Sequence, residues 1–155
     1  VMDKIRIRYL THAEFALQAP GGVLAVTDYN GLLGNPDVVP DVVTMNHAHD
    51  SHYTDHPDPR IPLVLKGWPQ GGRPAFFDLQ IGDMNLQSML QVEHDLHPAI
   101  TIPMHWFSEA SLQRFLAAEA ATHQIRDVQG PEVVLGPDDL PERPTIVLLR
   151  PDLIP

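Results

Sequence analysis

The stretch from Thr44 to His56, TMNHAHDSHYTDH, gathers four of the chain's nine histidines. His47, His49 and His52 stand at i, i+2 and i+5. In an extended segment i and i+2 point to the same side, so His47 and His49 can share one cation. A tight turn would then bring His52 round from the opposite wall. Neutral imidazoles suit zinc, iron, manganese or copper. The plain alternative is a hydrated histidine-rich loop with no ligand role. A fifth histidine, His105, follows ITIPM. Alone it would read as a structural histidine; beside the first cluster it reads as a remote ligand. The rest fit other roles. His56 precedes Pro57 in a solvated loop. His94, His97 and His123 belong near helix C-termini, where cations are favoured. His12 suits either a group behind the ligands or a local cap.

These side chains need strand ends to hold them. KIRIRYL alternates at period two, which predicts a strand over Lys4–Leu10 with Ile5, Ile7 and Tyr9 on one face. FALQA and VLAVTD, joined through Pro20-Gly21-Gly22, predict an antiparallel hairpin. A loop rich in Gly, Asn and Pro follows. VVTM, Val42–Met45, is a short buried strand from whose C-terminal end the histidine cluster hangs. PLVLK and AFFDLQI are further strands, separated by the turn-rich WPQGGRP. Asn85–Leu96 predicts a helix through Leu86, Met89, Leu90 and Leu96. AITIPM is a strand with His105 at its end. Ser108 is a candidate N-cap, with Glu109 in the first turn of a helix running to about His123. VVLG and TIVLLR close the chain as strands. Strands followed by strand–helix units imply a mixed α/β class with helices covering sheets.

The totals narrow the function. A chain of 155 residues with 43% apolar content is expected to form one domain, 1–155, with its own core. Sixteen prolines, set mostly between apolar runs, predict short elements with rigid connections. A formal charge of −10 with only ten Lys and Arg argues against a nucleic-acid partner, since that binding rests on cationic neutralisation of phosphates. No apolar run is long enough for a membrane span. The charged, alternating start lacks a signal-peptide core, so a cytoplasmic location is expected. With no cysteine, any metal must be held by imidazole and carboxylate. Other folds that use His-x-His fit poorly. A cupin wants a nearby Glu and an almost all-β chain, and an amidohydrolase barrel needs a longer one.

The motifs resemble the metallo-β-lactamase fold superfamily, in its Zn-dependent hydrolase branch of ascorbate-phosphate lactonase-like and N-acylphosphatidylethanolamine phospholipase-like proteins. IRYLTHAEFAL resembles the opening strand pair with its Gly-His-Ala-type turn, here Thr11-His12-Ala13. GGVLAVTDYNG matches the next strand and its Thr27-Asp28. DVVTMNHAHDSH resembles the strand bearing the signature H-x-H-x-D-H, and AITIPMHWF the late strand whose Pro-Met-His supplies the last ligand. The resemblance spans nearly the whole chain. It implies an αβ/βα sandwich with metals at one sheet edge. By it, His47 and His49 would hold one metal, and His52 with His105 a second.

Two departures accompany the resemblance. Ser51 stands where the signature aspartate belongs, with Asp50 one residue earlier, where its carboxylate faces another way. FFDLQIGDM runs almost directly into NLQSMLQVEHDLHPAITIPMH. The family places there a long block that supplies a third histidine for the first metal, a bridging aspartate and further strands. The sandwich is therefore expected to be incomplete, with a seam near Met84-Asn85. Alternatively Asp83 bridges the metals, although 21 residues between it and His105 is short.

Together these readings predict a metal-dependent hydrolase of an ester, lactone or phosphodiester, using one or two Zn2+, with Mn2+ or Fe2+ as substitutes. Asp50 is the candidate proton acceptor, and the partner is a small-molecule substrate. An unpaired sheet edge would favour a homo-oligomer. The alternative is a degenerate, inactive scaffold binding at most one metal.

Overall fold

The computed structural model describes residues 3–46, 51–69, 71–72, 75, 77–87, 98–104 and 108–152. Eleven strands and one α-helix are described: β1 (Ile5–Tyr9), β2 (Phe15–Gln18), β3 (Leu24–Thr27), β4 (Val42–Met45), β5 (Leu63–Lys66), β6 (Asp78–Ile81), β7 (Met84–Gln87), β8 (Ile100–Thr101), α1 (Glu109–Glu119), β9 (Gln124–Asp127), β10 (Glu132–Leu135) and β11 (Thr145–Leu148). Six form one sheet in the order β10-β1-β2-β3-β4-β5. The first four of these pair antiparallel, with Tyr9 opposite Phe15 and Phe15 opposite Thr27, while β3, β4 and β5 run parallel. A second, all-parallel sheet has the order β8-β11-β9.

Alternation decides which side chains meet. Ile5, Ile7 and Tyr9 face the second sheet, whereas Arg6 and Arg8 point outward to Glu132 and Asp152. Tyr9 and Phe15 stack with ring centroids 4.5 Å apart and join Val133, Leu135, Val147 and Leu149 in the core between the sheets. β11 is buried on both faces. Its Ile146 and Leu148 turn the other way, onto Leu112 and Leu116 of α1. Burying a side chain of this size is worth about 1.5–3 kcal/mol, which fixes the helix-on-sheet-on-sheet layering. The helix starts where the cap predicts: Ser108 accepts from the Ser111 amide and Ser111 Oγ reciprocates. On the outer face of the first sheet, Val26, Val43 and Met45 are covered by loop residues Tyr29 and Ile61.

Several expectations change. The helix expected over Asn85–Leu96 is contradicted at its start, where Met84–Gln87 is a strand; residues 88–97 lie outside the described residues. Leu86, read as part of a helical stripe, instead follows Met84 at period two and packs beside Leu65 and Ala25. The reason lies in the turn. Gly82 has φ +55°, a conformation glycine adopts without strain, and Gly82-Asp83 closes a tight two-residue hairpin with Ile81 opposite Met84. A side chain at Gly82 would also meet Val23 Cγ2 at 2.7 Å. The expected seam at Met84-Asn85 thus falls inside a paired strand, with Asn85 opposite Gln80. Strand β9 has no counterpart in the sequence reading, because all four of its residues are exposed. The helix after Ser108 ends at Glu119, short of His123. Among the described residues the second sheet has three strands against six in the first, in keeping with a sandwich that lacks its central segment.

Candidate metal centre

β3 and β4 run side by side in parallel, and their C-terminal ends place Asp28 beside Asn46. Asp28 is 3% exposed and takes φ +49°, a left-handed conformation that Asp adopts more readily than most residues. Its Oδ1 accepts hydrogen bonds from the Asn46 amide at 3.1 Å and from Asn46 Nδ2 at 2.9 Å. This ties Asn46, the residue that precedes the histidine-rich stretch in the sequence, to the end of β3. Its Oδ2 lies 3.4 Å from His52 Nδ1. A carboxylate against one imidazole nitrogen sets the ring's orientation and leaves Nε2, across the ring, as the atom that would meet a metal. The donor chemistry of this pair therefore fits a metal-ligating histidine.

His12 packs edge-on against His52 with ring centroids 6.3 Å apart, and Tyr9 Oη donates to the His12 carbonyl at 2.6 Å. Of the two roles open to His12, the position beside His52 favours the group behind the ligands. The turn that carries it is closed by Leu10 N donating to Glu14 O and Glu14 N donating to Thr11 O. Glu14 is fully buried. Thr11 Oγ1 donates to its Oε2 at 3.3 Å, and Asn30 Nδ2 donates to Thr11 Oγ1 at 3.1 Å. Glu14 Oε1 is buried with no hydrogen-bond partner among the described residues. Burial pushes this carboxyl up to about 8; the Asn30 backbone and the Thr11 hydroxyl pull it down, and Asp28 nearby raises it further. Glu14 therefore holds a proton at neutral pH.

Of the five site residues expected from sequence, only His52 is among the described residues; His47, His49, Asp50 and His105 lie outside them. Ser51, in the place of the signature aspartate, is partly buried beside His52. Asp83 sits elsewhere. Its Oδ2 accepts from the Gly21 amide at 2.6 Å, on the β2–β3 turn at the opposite end of β3 from Asp28. Among the described residues no three His, Cys, Asp or Glu side chains converge to hold a metal. Sequence reasoning missed Glu14 and Asn46. Asn46 directly precedes the first histidine, a position that could have marked it. Nothing in the sequence signals that Glu14 is buried.

The profile of the beta-lactamase superfamily domain matches residues 6–98, more than half of the chain. The chain belongs to the metallo-β-lactamase superfamily. The crystal structure of a Thermotoga maritima protein, provisionally assigned as a Zn-dependent hydrolase of the metallo-β-lactamase superfamily, aligns with it at a TM-score of 0.52 and 18% identity. The alignment covers 94% of this chain and 100% of that one, and shows that the two share a fold. No curated protein matches. Within this metallo-β-lactamase domain, Asp28 and Asn46 meet at the ends of β3 and β4, and Asn46 directly precedes the histidine-rich stretch of the sequence. Among the described residues no helix is long and apolar enough to cross a membrane.

Proposed function

We propose that this metallo-β-lactamase domain is a metal-dependent hydrolase of a small-molecule ester, lactone or phosphodiester. The observation that carries the reading is the buried Asp28 set against His52 at the paired ends of β3 and β4, in a chain of this superfamily. His47, His49, His52 and His105 would hold one or two ions, with zinc as the first choice and Mn2+ or Fe2+ as substitutes. A bound divalent ion supplies a water acidified toward neutrality and polarises the substrate's carbonyl or phosphoryl oxygen. Asp28 orients His52, and Asn46 fixes the point where the loop leaves the strand. Asp50 is the proposed proton acceptor. For an ester, water adds its oxygen to the acyl carbon, the acyl–oxygen bond breaks, and the departing oxygen leaves as an alcohol with one of the water's protons.

Ser51 favours a second reading, a scaffold that binds at most one metal without turnover. One experiment separates the two. Hydrolysis of p-nitrophenyl acetate and bis(p-nitrophenyl) phosphate is measured with added Zn2+ or Mn2+, for the wild type and His49→Ala. Turnover above metal-only controls, abolished in His49→Ala together with metal retention, is expected. Full activity in the variant would overturn the assignment.

A further inference from the structure

The inner face of the six-stranded sheet is not filled evenly. Over β1, β2 and β10 the second sheet packs down on it, whereas over β3, β4 and β5 its cover among the described residues is the β6–β7 hairpin. Beneath that hairpin lies a cavity of about 640 Å³. This falls within the roughly 300–1,000 Å³ typical of small-molecule sites.

The lining is graded from one end to the other. Ile5, Leu17, Ala25 and Leu65 form its floor on the sheet, with Met84 and Leu86 on the hairpin above. Thr27 and Thr44, the last inward-facing residues of β3 and β4, line it with Asn46 at the end nearest Asp28 and His52. One further polar wall group, Asn85, turns its Nδ2 to Gln80 Oε1. No charged side chain lines the cavity among the described residues. A carboxylate, phosphate or ammonium group inside it would lose its water without a counter-charge, at a cost of several kcal/mol. By the strand register, Thr27 lies four residues along the sheet from the level of Ile5. At ~3.4 Å per residue that is about 14 Å, the reach of a medium-length acyl chain.

We infer that this cavity receives the apolar acyl chain of an ester substrate, whose scissile carbonyl then rests at the Thr27, Thr44 and Asn46 end, the end nearest Asp28 and His52. The inference rests on the hydrolase reading and narrows its substrate to esters of medium-chain acids. Shape and charge select the chain, and the carbonyl is delivered by where the chain stops. Ala25 and Leu86 set the depth from opposite walls.

The test is binding, kept apart from turnover. Metal-stripped full chain is titrated with dansyl-undecanoic acid, and the bound probe is displaced with decanoate or with acetate. Ala25→Leu fills the cavity from the strand and Leu86→Ala enlarges it from the hairpin; circular dichroism checks that each variant folds. The expected result is saturable binding that decanoate reverses and acetate does not. Affinity should be weakened about tenfold or more by Ala25→Leu, and the preferred displacer should become longer in Leu86→Ala. With zinc restored, p-nitrophenyl octanoate should be preferred over the acetate ester, and Ala25→Leu should erase that preference.

Absence of saturable binding to folded wild type overturns the inference, as does binding indifferent to both variants. Turnover with no chain-length preference would leave the hydrolase reading standing and this one refuted. Chain binding that follows the variants, with no turnover under any metal, would support the cavity and refute the hydrolase.

Discussion

Replacing Glu14 with Gln should stabilise the protein, and by an amount that depends on pH. Glu14 is fully buried, and its carboxyl is pushed from 4.5 up to about 8, mainly by burial. The folded chain therefore keeps a proton that the unfolded chain releases above about pH 4.5. Below that value both states are protonated and Glu14 carries no penalty. As pH rises, folding must hold the proton against the solvent, at ~1.4 kcal/mol per pH unit. The cost reaches a few kcal/mol at pH 7 and levels off at about 5 kcal/mol above pH 8. Gln is nearly isosteric with the protonated acid and can accept the Thr11 hydrogen bond, yet it has no proton to lose. Urea unfolding should be followed by tryptophan fluorescence between about pH 5 and pH 8.5, with chelator present to remove any metal linkage. The stability difference between Glu14→Gln and wild type should be small at the acid end and widen steadily toward pH 8. Parallel stability curves for the two proteins would refute the buried, protonated Glu14.

Three other perturbations probe the fold and the site. Asp28→Asn keeps the side-chain shape but removes the charge beside His52 Nδ1, so zinc affinity should fall about 10–100-fold by competition with a chelating dye, with little change in far-ultraviolet dichroism. Gly82→Ala forces a side chain into φ +55° and to 2.7 Å from Val23 Cγ2; it should cost more than ~1 kcal/mol in denaturant unfolding. Leu112→Ala empties the contact between α1 and the Ile146–Leu148 face of β11, and should cost about 2–5 kcal/mol, read as a lower midpoint of thermal unfolding.

Most strands were legible because their surroundings are simple. Val42–Met45 lies within an apolar run and is buried in place. Ile5–Tyr9 alternates, and its two faces meet different media, core on one side and ion pairs with Glu132 and Asp152 on the other. β9 was invisible for the opposite reason. Its backbone pairs with β11 while every side chain stays exposed, so only the ladder marks it as a strand. The Met84–Gln87 segment carries two periods at once. Met84 and Leu86 alternate, while Leu86, Met89 and Leu90 repeat as a helix would; the glycine turn at Gly82 decides for the hairpin.

At the site, Thr27-Asp28 stood out in the sequence only as a strand motif with no site role assigned, and His52 as one of a set of spaced histidines. Their contact comes from the parallel pairing of β3 with β4, a long-range relation that no local spacing contains. The burial of Glu14 has the same origin, since Asn30 and Asp28 close over it from a different strand end.

Metal content tests the proposed centre most directly, measured by plasma mass spectrometry on the full chain after zinc loading and desalting. About one to two equivalents of zinc per chain are expected, lost in the His49→Ala variant. Less than about a tenth of an equivalent in folded wild type would contradict the proposed centre: the histidine cluster of the sequence would then form no metal site.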